Sequence, residues 1–138
     1  MMHLACPCGA VRLTLAERPD HINECNCSLC RRTDARWAYV HPDTITVAGA
    51  TDCWSRDDKP EPAAAVHTCR SCRATTHFTL TPAAIARHGN AMMGVNMRLA
   101  ADEALAGIEL RFPDGATWDG AGPFGYVRAP RILGRTDD

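Results

Sequence analysis

Aromatic residues are scarce in this chain, at 6% of its 138 positions, and neither charge sign is in excess: 15 Lys and Arg stand against 16 Asp and Glu. A net charge of −1 and a pI of about 6.6 supply no electropositive field. The composition therefore argues against a nucleic-acid binder and against a protein held to an anionic membrane surface. No apolar run approaches the ~20 residues that span a bilayer. The opening residues Met1-Met2-His3-Leu4-Ala5-Cys6 lack the apolar stretch of a secretory signal. A cytoplasmic protein with neither a nucleic-acid nor a membrane partner is expected. There is no internal repeat, and the charged, proline-rich stretch Arg56-Asp57-Asp58-Lys59-Pro60-Glu61-Pro62 is too short for a domain linker, so it is expected to be an exposed loop. Residues 1–138 are thus expected to form one domain. With few rings available, its core leans on Val, Ile, Leu and Ala.

Cysteine, by contrast, is plentiful. Seven of the eight fall into three tight groups: Cys6-Pro7-Cys8-Gly9, Cys25-Asn26-Cys27-Ser28-Leu29-Cys30 and Cys69-Arg70-Ser71-Cys72. Cysteines one or two residues apart pair poorly with each other, but their sulfurs can converge on one cation. In a reducing compartment such clusters point to metal ligands or catalysis rather than disulfides. Cys6 and Cys8 with Cys69 and Cys72 make a closed four-thiolate set, the usual structural zinc site. The long insertion between the pairs is no obstacle, because loop-closure cost grows slowly with length. Cys25, Cys27 and Cys30 supply three thiolates and leave a fourth position open, as catalytic zinc sites do. A distant His21, His67 or His77 is the alternative fourth ligand. Arg31 and Arg32 follow directly and can offset an anionic zinc–thiolate centre or bind the carboxylates of a peptide-like ligand. The leftover Cys53 is expected as a buried, inert thiol on a strand. A thioredoxin-type redox motif would need a βαβ context, whereas the flanking residues alternate as hairpins.

That alternation predicts a mainly β chain. Val11, Leu13 and Leu15 mark one strand. Further strands are predicted over 37–40 and 44–47, with 52–55 extending a hairpin across Ala48-Gly49-Ala50. Residues 64–68 and 75–80 flank Cys69 and Cys72 as a zinc knuckle. Thr81 caps a short helix that has Pro82 at its first position and stops at Gly89. A helical turn at 101–106, a strand at 108–112 turning at Pro113-Asp114-Gly115 toward Thr117-Trp118, and a loose tail at 135–138 complete the expectation.

The order and spacing of these groups, with Ser28 before Cys30 and Arg31-Arg32 after it, resemble the glutathione-dependent formaldehyde-activating enzyme family, which includes the centromere protein V relatives. Gly94-Val95-Asn96-Met97-Arg98-Leu99 is similar to the family's Val-Asn-x-Arg-Leu strand. Phe112-Pro113-Asp114-Gly115 with Trp118 is similar to its closing Phe-Asp-Gly-x-x-x-Trp segment. The resemblance implies an Mss4-like fold of antiparallel β-sheets around zinc with one or two short helices. It implies a structural zinc on Cys6, Cys8, Cys69 and Cys72 and a second, catalytic-type zinc on Cys25, Cys27 and Cys30. It also implies a carbon–sulfur lyase activity joining a glutathione-like thiol to a small aldehyde such as formaldehyde. A zinc-stabilised binding module without turnover is the alternative from another class, since fold does not determine function. Three departures stand out: Asn26 where His is frequent, Thr33-Asp34-Ala35 without the usual Gly after the arginines, and Arg73 where a Gly commonly follows the knuckle.

Overall fold

In the computed structural model, which describes residues 1–134, strands dominate. The chain runs β1 (Met2–Ala5), β2 (Arg12–Leu15), β3 (His21–Asn23), α1 (Ser28–Thr33), β4 (Trp37–Val40), β5 (Ile45–Ala48), β6 (Thr51–Trp54), β7 (Ala64–Cys69), β8 (Thr75–Leu80), α2 (Pro82–His88), β9 (Met93–Asn96), α3 (Asp102–Leu105), β10 (Glu109–Pro113) and β11 (Tyr126–Ile132), with 3-10 turns at Pro42–Thr44 and Met97–Leu99. No helix is long and apolar enough to cross a membrane.

Two sheets form. The smaller has the order β1-β2-β5, antiparallel throughout. Its alternation is strict: Leu13 and Leu15 are buried while Arg12 is exposed. The larger has eight strands in the order β11-β10-β3-β4-β9-β8-β7-β6, and its β10–β3 pairing is parallel. Successive side chains on a strand face opposite sides, and both sides of the central strands of this sheet are covered. Ala38, Val95 and Leu110 pack with Leu4, Val11, Leu13 and Leu15 of the small sheet. Trp37, Val66 and Phe78 face the other way, onto Leu29 of α1. The aliphatic core expected from composition is the first of these layers.

Local signals placed several elements well. β4 and β8 span the predicted residues. In α2 the Thr81 hydroxyl accepts from the Ala84 N–H at 3.3 Å, and the Gly89 N–H closes the helix on the Ile85 carbonyl at 2.7 Å.

Two expectations fail. β5 and β6 are not a hairpin: β5 pairs with β2, and β6 with β7 in the other sheet. Between them Gly49 adopts φ +109° against the turn after the first cysteine pair, where a Cβ would meet the Ala10 carbonyl oxygen at 2.2 Å, so the chain leaves one sheet for the other at that residue. Cys53 is on a strand as expected but exposed rather than buried, because β6 is the outermost strand and has β7 as its one neighbour. Thr117 and Trp118 lie in a loop, and the strand that returns beside β10 is β11. The tail at 135–138 lies outside the described residues.

Candidate metal centres

The four-cysteine group stands where the small sheet meets the β7–β8 hairpin. Two turns of matching design present it. After β1, the Cys6 N–H donates to the Val11 carbonyl at 3.0 Å and the Gly9 N–H to the Cys6 carbonyl at 2.9 Å. After β7, the Cys69 N–H donates to Ala74 at 3.0 Å and the Arg73 N–H to Cys69 at 2.9 Å. Gly9 and Arg73 both take positive φ, +79° and +65°. The usual Gly after the knuckle is therefore replaced by an Arg that accepts the left-handed conformation at some cost.

All four Sγ atoms lie within 4.8 Å of one another, with Cys6–Cys8 at 3.5 Å and Cys8–Cys69 at 3.6 Å. Sulfurs at the corners of a tetrahedron around zinc, with bonds of ~2.3 Å, are ~3.8 Å apart, so the set fits that ion. Backbone N–H groups already point at the sulfurs: Val11 to Cys6 at 3.3 Å and Cys72 to Cys69 at 3.5 Å. Burial raises the Cys6 thiol, yet the Val11 N–H and the neighbouring sulfurs together bring it down to about 6. The Ala10 N–H pulls Cys8 down, but its shared protons with Cys6 and Cys69 push it up to about 11. Thiols competing for protons in this way are relieved by a divalent cation, beside which all of them can be thiolates.

The three-cysteine group lies on the opposite face of the large sheet, against Trp37 and Phe78, whose rings meet edge to face at 5.0 Å. Cys27 is the N-cap of α1, and its Sγ accepts from the Cys30 N–H at 3.4 Å. Cys27 and Cys30 sulfurs are 3.1 Å apart, and the Cys27 N–H points at the Cys25 Sγ at 3.5 Å. Cys25 and Cys30 are buried and Cys27 is half-buried. Hydrogen bonds from Cys25, then from Cys30, hold the Cys27 thiol far below its ordinary value, helped by the Arg56 charge. Proton sharing with Cys27 pushes Cys25 up, and proton sharing with Cys25 and Cys27 pushes Cys30 up.

Among the described residues no histidine joins this group. His21 pairs with Asp20 at 2.7 Å. His67 and His77 stack on each other with ring centroids 4.2 Å apart, and His67 is held between the Thr51 and Thr79 hydroxyls.

Cys27 opens onto a groove of about 470 Å³ lined by Asn26, Ser28, Arg31, Arg56, Lys59 and the turn at Gly115 and Ala116. Arg31 lines it; Arg32 is exposed on α1 and is not among the lining residues. Residues 57–61 are exposed, as expected of this loop, but Arg56 is not. Its side chain is 13% exposed, binds Asp58 through Nε at 2.5 Å and Nη2 at 2.7 Å, and also donates to the Ser28 hydroxyl. Ser28 in turn donates to Asp58 at 2.6 Å, so the loop is pinned to the first residue of α1. The motif around Asn96 supports the far end of that helix. Asn96 donates to the Thr75 carbonyl at 2.9 Å and accepts from the Arg36 N–H at 3.3 Å. Arg98 binds the carbonyl and, at 3.2 Å, the carboxylate of Asp34, the left-handed C-cap of α1.

Comparison with protein families matches residues 1–105 to the glutathione-dependent formaldehyde-activating enzyme family. The chain belongs to that family. Comparison with curated proteins gives no match. Among solved structures, a crystal structure of a Rhodobacter sphaeroides protein is similar at 27% identity and a TM-score of 0.55, covering 72% of this chain and 87% of that one. The match to the glutathione-dependent formaldehyde-activating enzymes contains all seven clustered cysteines and the Asn96–Arg98 support. The turn at Gly115, which touches the three-cysteine group, lies beyond it. Arg56, Lys59 and Ala116 are groove residues that reading the sequence missed. The Asp-Gly of 114–115 was the visible signal for the turn; nothing local marks Arg56.

Proposed function

We propose that residues 1–138 form one cytoplasmic zinc-binding domain acting as a carbon–sulfur lyase, which adds a glutathione-like thiol to a small aldehyde of the formaldehyde class. In this reading Cys6, Cys8, Cys69 and Cys72 hold a structural zinc, and Cys25, Cys27 and Cys30 hold a second with one position open. That ion would supply a Lewis-acidic centre favouring thiolate over thiol. The protein's own part is electrostatic. Arg31, Arg56 and Lys59 draw the carboxylates of an anionic thiol into the groove beside Cys27, and the wall of Trp37 and Phe78 keeps water from the buried side of the cluster. In the reaction the thiol sulfur forms a bond to the carbonyl carbon, the carbonyl π pair moves to oxygen, and the thiol proton ends on that oxygen. The reverse breaks the same C–S bond.

The observation that carries the reading is the juxtaposition of a three-cysteine cluster with three cationic side chains lining one groove. The test is the rate of hydroxymethyl adduct formation from glutathione and formaldehyde, followed by exchange NMR. Wild type should accelerate it, and Arg31→Ala should raise KM for glutathione about tenfold, the loss of one charge-assisted contact. No acceleration, together with no change in the spectrum of cobalt-substituted protein on adding thiols, would leave the binding-module reading instead.

A further inference from the structure

The side chain between two of the three clustered cysteines reaches across the chain. Asn26 Nδ2 donates to the Asp114 carboxylate at 2.9 Å, and its Oδ1 accepts from the Ala116 N–H at 2.9 Å. Asp114 also accepts from the Thr117 hydroxyl at 2.7 Å, and its N–H closes the base of the loop on the Gly125 carbonyl at 2.7 Å. The turn so held lies directly on the sulfurs: a Cβ on Gly115 would sit 2.3 Å from the Cys25 Sγ and 3.3 Å from the Cys27 Cβ. Ala116 and Thr117 are exposed, so no buried apolar side chain of their own anchors the turn.

We propose that Asn26 and Asp114 are positioning residues of the three-cysteine cluster, clamping the turn at Gly115 over Cys25 so that the cluster is open only toward the cationic groove at Cys27. The clamp ties a residue between two ligands to a segment some ninety residues away, whose backbone excludes water and competing ligands from the Cys25 side. The inference rests on the reading of Cys25, Cys27 and Cys30 as a metal site, and it adds what controls retention and access there. A partner that orients a ligating residue is commonly worth about 10–100-fold in metal affinity.

The test is zinc release to a chromophoric chelator from zinc-loaded protein, with thermal melting and the more slowly released zinc of the four-cysteine site as internal controls of folding. Asn26→Ala should weaken retention of the faster zinc about 10–100-fold and leave the slower zinc and the melting unchanged. Asn26→Asp, which sets a second carboxylate against Asp114, should do at least as much. Adding Asp114→Asn to Asn26→Asp should restore retention, because the amide introduced at 114 donates to the carboxylate introduced at 26, and the Ala116 N–H still has its acceptor. A merely structural asparagine would not show this selective loss and rescue. A wild type that carries a single zinc sinks the metal reading of the triplet and the clamp with it. Two zincs in wild type, with the faster one released equally from wild type, Asn26→Ala and Asn26→Asp, overturn the clamp alone.

Discussion

The two cysteine clusters use one kind of ligand atom but are held in opposite ways. The four-cysteine group joins two turns from different sheets, Cys6 and Cys8 after β1 with Cys69 and Cys72 after β7, and its buried members belong to the main core. The three-cysteine group comes from a single segment at the start of α1, on the other face of the large sheet. An ion in the first closes a long loop and ties the sheets together. An ion in the second closes almost nothing, because its ligands are already neighbours. By loop closure alone, the first site should carry stability and the second should be dispensable to the fold. Both clusters have arginines nearby, but at the four-cysteine turn Arg70 and Arg73 pair with Asp52 at 3.0 Å, whereas at the triplet Arg31, Arg56 and Lys59 line a groove.

The largest expected effect tests that contrast directly. Cys69→Ser should abolish a cooperative melting transition at neutral pH, since structural zinc contributes ~10 kcal/mol against total domain stabilities of ~5–15 kcal/mol. Cys27→Ser should remove about one zinc per chain and leave a folded protein. Metal analysis and thermal circular dichroism of both variants decide it; the reverse pattern exchanges the two roles.

A smaller effect belongs to the four-cysteine face. His77 is buried, and burial together with the neighbouring His67 lowers its pKa to about 4. Between that value and the ~6.5 of a free imidazole the unfolded chain binds more protons, so stability rises with pH across this window and falls on acidification. From pH 7 to pH 5 the loss due to His77 should be about 2 kcal/mol. Urea denaturation should show a correspondingly shallower pH dependence for His77→Gln; equal slopes in both proteins would refute the assignment.

The smallest effect compares the two turns of the four-cysteine site. Arg73 holds φ +65° where the matching turn has Gly9, and its ion pair with Asp52 at 3.0 Å is exposed. Relief of left-handed strain exceeds the added unfolded-state entropy and the lost surface pair by a small margin, so Arg73→Gly should stabilise by about 0.5 kcal/mol. A melting temperature that falls would show that the Asp52 contact outweighs the strain.

Legibility followed the range of the interactions. α2 was readable because Thr81, Pro82 and Gly89 act within one helix, and β8 because its alternating run is bounded by local breakers. α1 was not, since its six residues show little helical periodicity and its ends depend on Cys27 and on Arg98 from the distant 3-10 turn after β9. β11 was hidden because it is exposed along nearly its whole length and has no apolar alternation to betray it. In the site, the clustered cysteines were legible from spacing, whereas Arg56 and the Asn26–Asp114 hydrogen bond depend on contacts 28 and 88 positions apart.

From its residues alone the chain specified which thiols can share a cation, because ligand spacing within a turn is a local property. It also specified a β-rich frame, because side-chain alternation is local too. Tertiary structure decided that the two clusters occupy opposite faces of one sheet, that Gly49 sends the chain from one sheet to the other, and that a groove with Arg56 and Lys59 opens at Cys27 rather than at Cys25. Those outcomes depend on which distant segments pack together, and packing against a distant segment leaves no periodic trace in the residues that receive it.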